Sequence, residues 1–352
     1  MLMKRLFAYL AAALLIVAPA SDNALALAPA QKPVVLSGVQ SWSLPGSSAD
    51  MFFARNAGSC TINRLAVPCA SQISATRAST GMAQWADGHW SSFAANVPRI
   101  TDQGLLVEEA RTNLFLNSQA PVTQTVTVVS SSVYTVSVYG NASVVLSGAT
   151  AGTVTQGNPK TFTAGSTSLV CTVSGAGGTF QNVQVELGGF ATSPIVTAGS
   201  TVTRAADVIT LAGAAKTAAL NAKAARFVTN GASGSSPRLV SDTDGSNSVL
   251  YSGSAQVGVD IGAATKATAN LPSGTTAGLV KSAVGFDSAG TSAVVNGSAK
   301  GTDATAWVGF GSSVYIGGIS AGNRQLNGYL VRASFGPTKG MFDAMTTGSS
   351  AQ

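Results

Sequence analysis

Between residues 122 and 187 apolar and polar side chains take turns with a period of two, the spacing that sends neighbours to opposite faces of a strand. The runs 122–128, 133–139, 142–146, 160–163, 168–173 and 180–187 are separated by turns that contain Gly or Asn. Short strands at this regular spacing predict an antiparallel sandwich of jelly-roll type. Residues 226–336 return to the pattern, with strands over 283–287 and 293–296, then 314–318 and 325–335, and Asn-Gly turns at Asn296-Gly297 and Asn327-Gly328. Between these regions, 210–225 is Ala-rich with Leu211 and Leu220, which predicts a short helix linking the domains. Residues 339–345 predict a short terminal helix that docks Met341, Phe342 and Met345. Residues 31–103 are less regular, with short strands expected at 34–36 and 51–53.

The run Gly104 to Ser118 stands at the seam between the irregular and the regular parts. It begins as a strand, with Leu105 and Val107 on one face and Leu106 and Glu108 on the other. Adjacent Glu108 and Glu109 therefore point apart and cannot alone form a catalytic pair. Glu109 and Arg111 share a face, so an ion pair that pins the segment to a neighbouring domain is expected.

Composition supports the all-β reading. Only 10% of residues are charged, 39 are Gly, and the mean hydropathy is +0.29, which suits β-branched strands with many turns and excludes disorder. The formal charge of +6 is scattered, without the basic clusters or aromatic-basic interleaving of a nucleic-acid groove. Lys4-Arg5, the apolar stretch 6–17 and the small-x-small run Ala24-Leu25-Ala26 read as a signal peptide over residues 1–26. No later stretch is long enough and apolar enough for a membrane helix, so a secreted or otherwise exported chain is expected. The domains expected are then a β-rich segment 27–118, a sandwich 119–208 and a second sandwich 209–347.

Candidate chemistry is sparse. Cys60 and Cys69 bracket an eight-residue loop and can be bridged in an oxidising compartment, whereas Cys171 falls on the apolar face of a strand. Asp242, Asp244 and Asn247 are spaced either as a polar turn or as a calcium loop without the bidentate Glu of an EF-hand. Trp85 and Trp90, beside Asp87-Gly88 and His89, form either a sugar-stacking platform or a plug for the end of a sandwich. The string Gly318-Ile319-Ser320-Ala321-Gly322 matches a nucleophile elbow, but no helix pattern and no His follow it. No pair of acids lies in a recognisable glycosidase motif, so a non-enzymatic protein is expected.

With Asn96-Val97-Pro98-Arg99 upstream, the 104–118 run resembles the segment that introduces β-sandwich domains in tail-fibre-like and other virion structural proteins of tailed bacteriophages and prophages. Residues 186–208 resemble the segment that closes such a module. The strands in between are similar to small carbohydrate-binding modules, although they contain no Trp and keep only Tyr134, Tyr139, Phe162 and Phe180. The strands over 314–335 resemble the end of concanavalin A/laminin G-like jelly rolls. The resemblance implies a virion structural or receptor-binding protein whose partners are a cell-surface polysaccharide or glycan and other virion proteins. It places glycan contacts on loops, at Trp307 and at Asn323 and Arg324. The signal peptide implies an alternative, a secreted or surface bacterial adhesin built from the same modules. A secreted polysaccharide-degrading enzyme is a third class. No heptad seam specifies a coiled-coil trimer.

Overall fold

The computed structural model describes residues 44–342 apart from 55–57, 179, 235, 253–255 and 272–278. The expected signal peptide, the strand at 34–36 and Met345 lie outside the described residues. The chain is nearly all antiparallel β-structure, with one α-helix among the described residues, Gly213–Leu220. No helix among them is long and apolar enough to cross a membrane.

The larger sandwich is built from both ends of the chain. One sheet runs in the order Leu65–Val67, Ser59–Ile62, Ala49–Phe52, Gly328–Gly336, Ala224–Asn230, Leu279–Asp287, Gly290–Val295, Gly301–Asp303. Gly328–Gly336 is long enough to pair with Ala49–Phe52 along its second half and with Gly104–Val107 along its first, and Gly104–Val107 in turn pairs with Arg99–Thr101. The facing sheet runs Ile73–Thr76, Val208–Leu211, Tyr315–Ile316, Arg238–Ser241, Ser248–Ser252, Gln256–Ile261, Ala264–Asn270. Met51, Leu105, Val107, Ile209, Phe227, Val259, Phe286 and Phe335 belong to one buried cluster between them. Boundaries at 118 and 208 thus follow chain order but not the sheets. Strands of 27–118 hydrogen-bond into both layers of the C-terminal sandwich, because a strand's period fixes its faces and says nothing of its partner.

The central sandwich is an insertion. The chain enters it through Arg111–Asn113 and leaves it through Val202–Arg204, which pair with each other. One of its sheets has the order Gln124–Thr127, Ser168–Ser174, Ser143–Gly148, Gly152–Val154, and the other Lys160–Thr163, Val133–Tyr139, Asn182–Leu187. Phe115, Val126, Tyr134, Val136, Leu146, Leu169, Cys171 and Val185 fill its core, as the alternation dictates.

The helix differs from expectation in what it connects. It follows Val208–Leu211 and precedes Ala224–Asn230, so it joins the two sheets of the larger sandwich rather than the two sandwiches. Ala215, Ala218 and Ala219 face that core, small enough to let the backbone approach it closely. No side chain of its own caps it; the Gln72 Oε1 accepts the Ala215 N–H at 2.9 Å. Residues 339–342 form a turn rather than the start of a helix, and Met341 and Phe342 pack there with Leu44, Ala224 and Ala283. Asn296-Gly297 does turn with positive φ at both residues, +43° and +74°, and leads to Gly301–Asp303.

Candidate functional site

Three arginines and two acids assemble where the insertion joins the larger sandwich. Arg77 follows strand Ile73–Thr76, Arg99 opens its strand, Glu108 follows Gly104–Val107, Arg204 ends the exit strand, and Asp207 precedes Val208–Leu211. The Asp207 Oδ1 accepts from Arg77 Nη1 at 2.8 Å, while its Oδ2 accepts from Arg99 Nη2 and from the Glu108 N–H at 2.9 Å. Glu108 Oε2 stands 2.7 Å from Arg99 Nη1 and 3.0 Å from Arg204 Nη1. Ser193 donates from Oγ to Oε2 at 2.6 Å and from its N–H to Oε1 at 2.7 Å.

Burial alone would raise the Glu108 carboxyl, but Arg204 and Arg99 together with the Ser193 donors outweigh it and hold the group at about 2. Nearby Glu186, wholly buried, is shifted the other way. Burial raises it more than the Thr192 donors and Arg204 lower it. Every oxygen of Glu108 and Asp207 is engaged by a guanidinium, hydroxyl or amide donor, so this cluster fixes chain segments and offers no open position to a reactant. The expected Glu109–Arg111 ion pair is present, 2.5 Å from Oε1 to Nη2. Asn327 ties it to the larger sandwich by accepting the Glu109 N–H at 2.8 Å, and the Arg111 guanidinium lies 4.6 Å over the Phe190 ring.

Trp85 and Trp90 sit on the hairpin of Gly81–Gln84 and Trp90–Phe93. Trp90 is paired with Gln84, and the Trp85 N–H donates to the His89 carbonyl, so the two indoles take opposite faces and form no common platform. Trp90 turns inward, edge-on to Tyr139 at 5.3 Å and stacked on Phe180 at 6.1 Å, where it plugs the junction with the central sandwich. Trp85 instead stacks on His89, with ring centroids 5.5 Å apart and planes 11° from parallel. Its Nε1 donates to Ser91 Oγ, which fixes the ring. At this tip His89 Nδ1 lies 2.5 Å from Asp87 Oδ1, and both side chains are more than half exposed. The backbone N–H of His89 is the first cause that lowers the Asp87 carboxyl below its ordinary value.

The other sequence candidates do not gather around this tip. Trp307 is wedged between Phe286 at 4.8 Å and Phe310 at 4.9 Å and packs on the large core, because an indole gains more from that apolar seat than from water. Asn323 and Arg324 are exposed, and the Arg324 carbonyl accepts the Arg238 N–H. Asp242 Oδ2 accepts three donors from its own loop, Ser246 Oγ and the N–H and Nδ2 of Asn247, while Asp244 Oδ1 accepts the Ser246 N–H. Donors from the loop itself thus hold Asp242 Oδ2 and Asp244 Oδ1, and the Gly262 N–H holds Asn247 Oδ1, which is the geometry of a polar turn, while Asp242 Oδ1 has no hydrogen-bond partner. Among the described residues no group of three or more His, Cys, Asp or Glu is placed to share a metal ion. Cys60 and Cys69 form a disulfide, and Cys171 is buried. Ser320 Oγ donates to the Thr243 carbonyl, and its turn leads into no helix.

Sequence reasoning did not select His89 and Asp87 as contacts, although a lone His two residues after an Asp in a Trp-containing turn was a usable signal. Comparison with protein-family models, with curated proteins and with solved structures found no match.

Proposed function

We propose that the chain is a non-enzymatic virion structural or receptor-binding protein of phage or prophage type. Its two sandwiches, of jelly-roll and concanavalin A/laminin G-like kind, present loops to a cell-surface glycan. The observation that carries this reading is the exposed tip in which Trp85 and His89 are stacked and Asp87 stands beside them. A fixed indole offers a negative π-face to the C–H bonds of a sugar ring, and a carboxylate accepts its hydroxyls. Asp87 Oδ1 takes both His89 contacts, which leaves the exposed Oδ2 for a ligand. A glycan array probed with the wild-type chain and with Trp85→Ala tests the reading. Binding to surface glycans that falls about tenfold or more in the variant supports it. A flat array for the wild type, with no binding to host cells, would overturn it.

The Cys60–Cys69 disulfide favours a second reading, an exported adhesin built from the same modules, because disulfides persist in oxidising compartments. Mature chain beginning near residue 27 in culture medium supports the adhesin. A gene lying among capsid and tail genes supports the virion part.

A further inference from the structure

We infer that a groove at one end of the central sandwich holds an uncharged saccharide unit, at a site separate from the hairpin tip. The ligand class rests on the glycan-binding reading above; the location does not. The groove has a volume of ≈ 400 Å³ and lies between Gln119, Ala120 and Pro121 on one wall and Gly177, Phe180 and Gln181 on the other. That volume is in the range of sites for small ligands.

Its chemistry is neutral throughout. Between Arg111 and Arg204 the chain has only two charged residues, Lys160 and Glu186, and Glu186 is wholly buried. No charged side chain lines the groove, so nothing there selects or steers an ion. What it offers instead is two carboxamides, an aromatic ring and glycine backbone, the partners suited to hydroxyls and C–H faces.

Two of these groups are set in advance. The Phe180 ring is backed by Trp90, whose own ring is braced edge-on by Tyr139, so Phe180 is held in place behind the groove. Gln181 is 6% exposed, and its Oε1 accepts the Gly177 N–H at 2.6 Å, which fixes the amide. Its Nε2 has no hydrogen-bond partner. A buried amide left unpaired is costly and calls for an explanation. Nε2 is closed off from solvent, so a ligand hydroxyl supplies the missing acceptor once the turn at Gly177 moves aside, for which the open space around the Cβ position of Gly177 leaves room.

Native gel electrophoresis through dextran, galactomannan or alginate tests the site, with the full chain and its Gln119→Ala, Phe180→Ala and Trp85→Ala variants. Gln119 is exposed, so its truncation reports on binding without endangering the fold. The expected result is retardation by a neutral polymer that is unchanged between about 50 and about 500 mM NaCl. In Gln119→Ala and Phe180→Ala it weakens by about tenfold or more. Retardation by alginate alone overturns the groove and leaves the tip standing. So does neutral binding that is lost in Trp85→Ala and intact in both groove variants. Loss in the groove variants with none in Trp85→Ala supports the groove and leaves the tip to the array. No retardation by any polymer overturns the groove, and only the array decides the tip.

Discussion

Arg77 Nη1 stands 2.8 Å from Asp207 Oδ1, although 130 positions separate the two residues and both side chains are almost wholly excluded from water. The cause is register. Thr76 pairs with Val208 at the end of one antiparallel ladder, and one step further along the same ladder sets residue 77 opposite residue 207. The second oxygen of Asp207 then reaches Arg99, so one carboxylate fastens both layers at the point where the inserted sandwich begins.

Asp207→Asn leaves Arg77 and Arg99 buried without their shared counter-charge. Removing one member of a buried ion pair costs about 3–5 kcal/mol, and a loss of that size is expected here. Urea unfolding checks it. The midpoint should fall while the slope of the transition stays constant, because the surface exposed on unfolding does not change.

Acid should loosen the same cluster. Glu108 is held at about 2 in the folded chain against an ordinary 4.5, so its contribution is complete above pH 4.5 and drains away as pH falls through about 2. The difference amounts to about 3 kcal/mol as an order of magnitude. Stability of the wild type should therefore slope downward between those limits, and Glu108→Gln should flatten the slope, with the two curves converging near the acid end.

Glu186 predicts the opposite slope. Its folded carboxyl binds a proton more tightly than the unfolded one, since burial raises it, so it costs stability as pH rises above the ordinary 4.5. Glu186→Gln removes that cost. The melting temperature of the variant minus that of the wild type should grow as pH is raised from about 4.5 toward neutrality. A gap that shrinks over that range would show that the carboxyl is ionised and supported in the native state.

What could be read in advance, and what could not, follows from the range of each signal. Alternation exposed the strands of the central sandwich, and a two-residue spacing exposed Glu109 and Arg111 as a pair. Arg77 and Asp207 carry no local mark of each other, because their meeting depends on which strand lies beside which. The same limit hid the insertion, since nothing near Ala49–Phe52 says that it pairs with Gly328–Gly336. At the hairpin the residues were in view but their faces were not. Pairing of Gln84 with Trp90 is what parts the two indoles, and it then reserves Trp85 for the surface. Trp307 misled for a related reason, because aromatic content alone does not distinguish a platform from packing.

Gly188 should resist substitution. A Cβ there would lie 1.5 Å from Arg111 Nη1, and the residue has φ +134°, so alanine both strains the backbone and displaces the guanidinium from Glu109 and Phe190. Overpacking of this kind costs about 1–3 kcal/mol. In a double-mutant cycle Arg111→Ala should recover part of the loss caused by Gly188→Ala, because the clash has then gone. Strict additivity would mean that the two residues do not meet.

The cysteines give a test that reads pairing and core packing together. Cys171 lies at the centre of strand Ser168–Ser174 with no exposed surface, and burial pushes its thiol up to about 12. A thiol that is neither accessible nor ionised does not attack a disulfide reagent. Native protein should therefore show no reactive thiol at pH 8. Unfolding in urea without reductant should release one, and reduction should bring the total to the three cysteines present. Removing the bridge by Cys60→Ser with Cys69→Ser frees a short loop in the unfolded chain and should lower stability by about 2.5 kcal/mol. Three reactive thiols in unreduced urea would dispose of the bridge. One reactive thiol in native protein would place Cys171 at the surface and open the core on which the central sandwich depends.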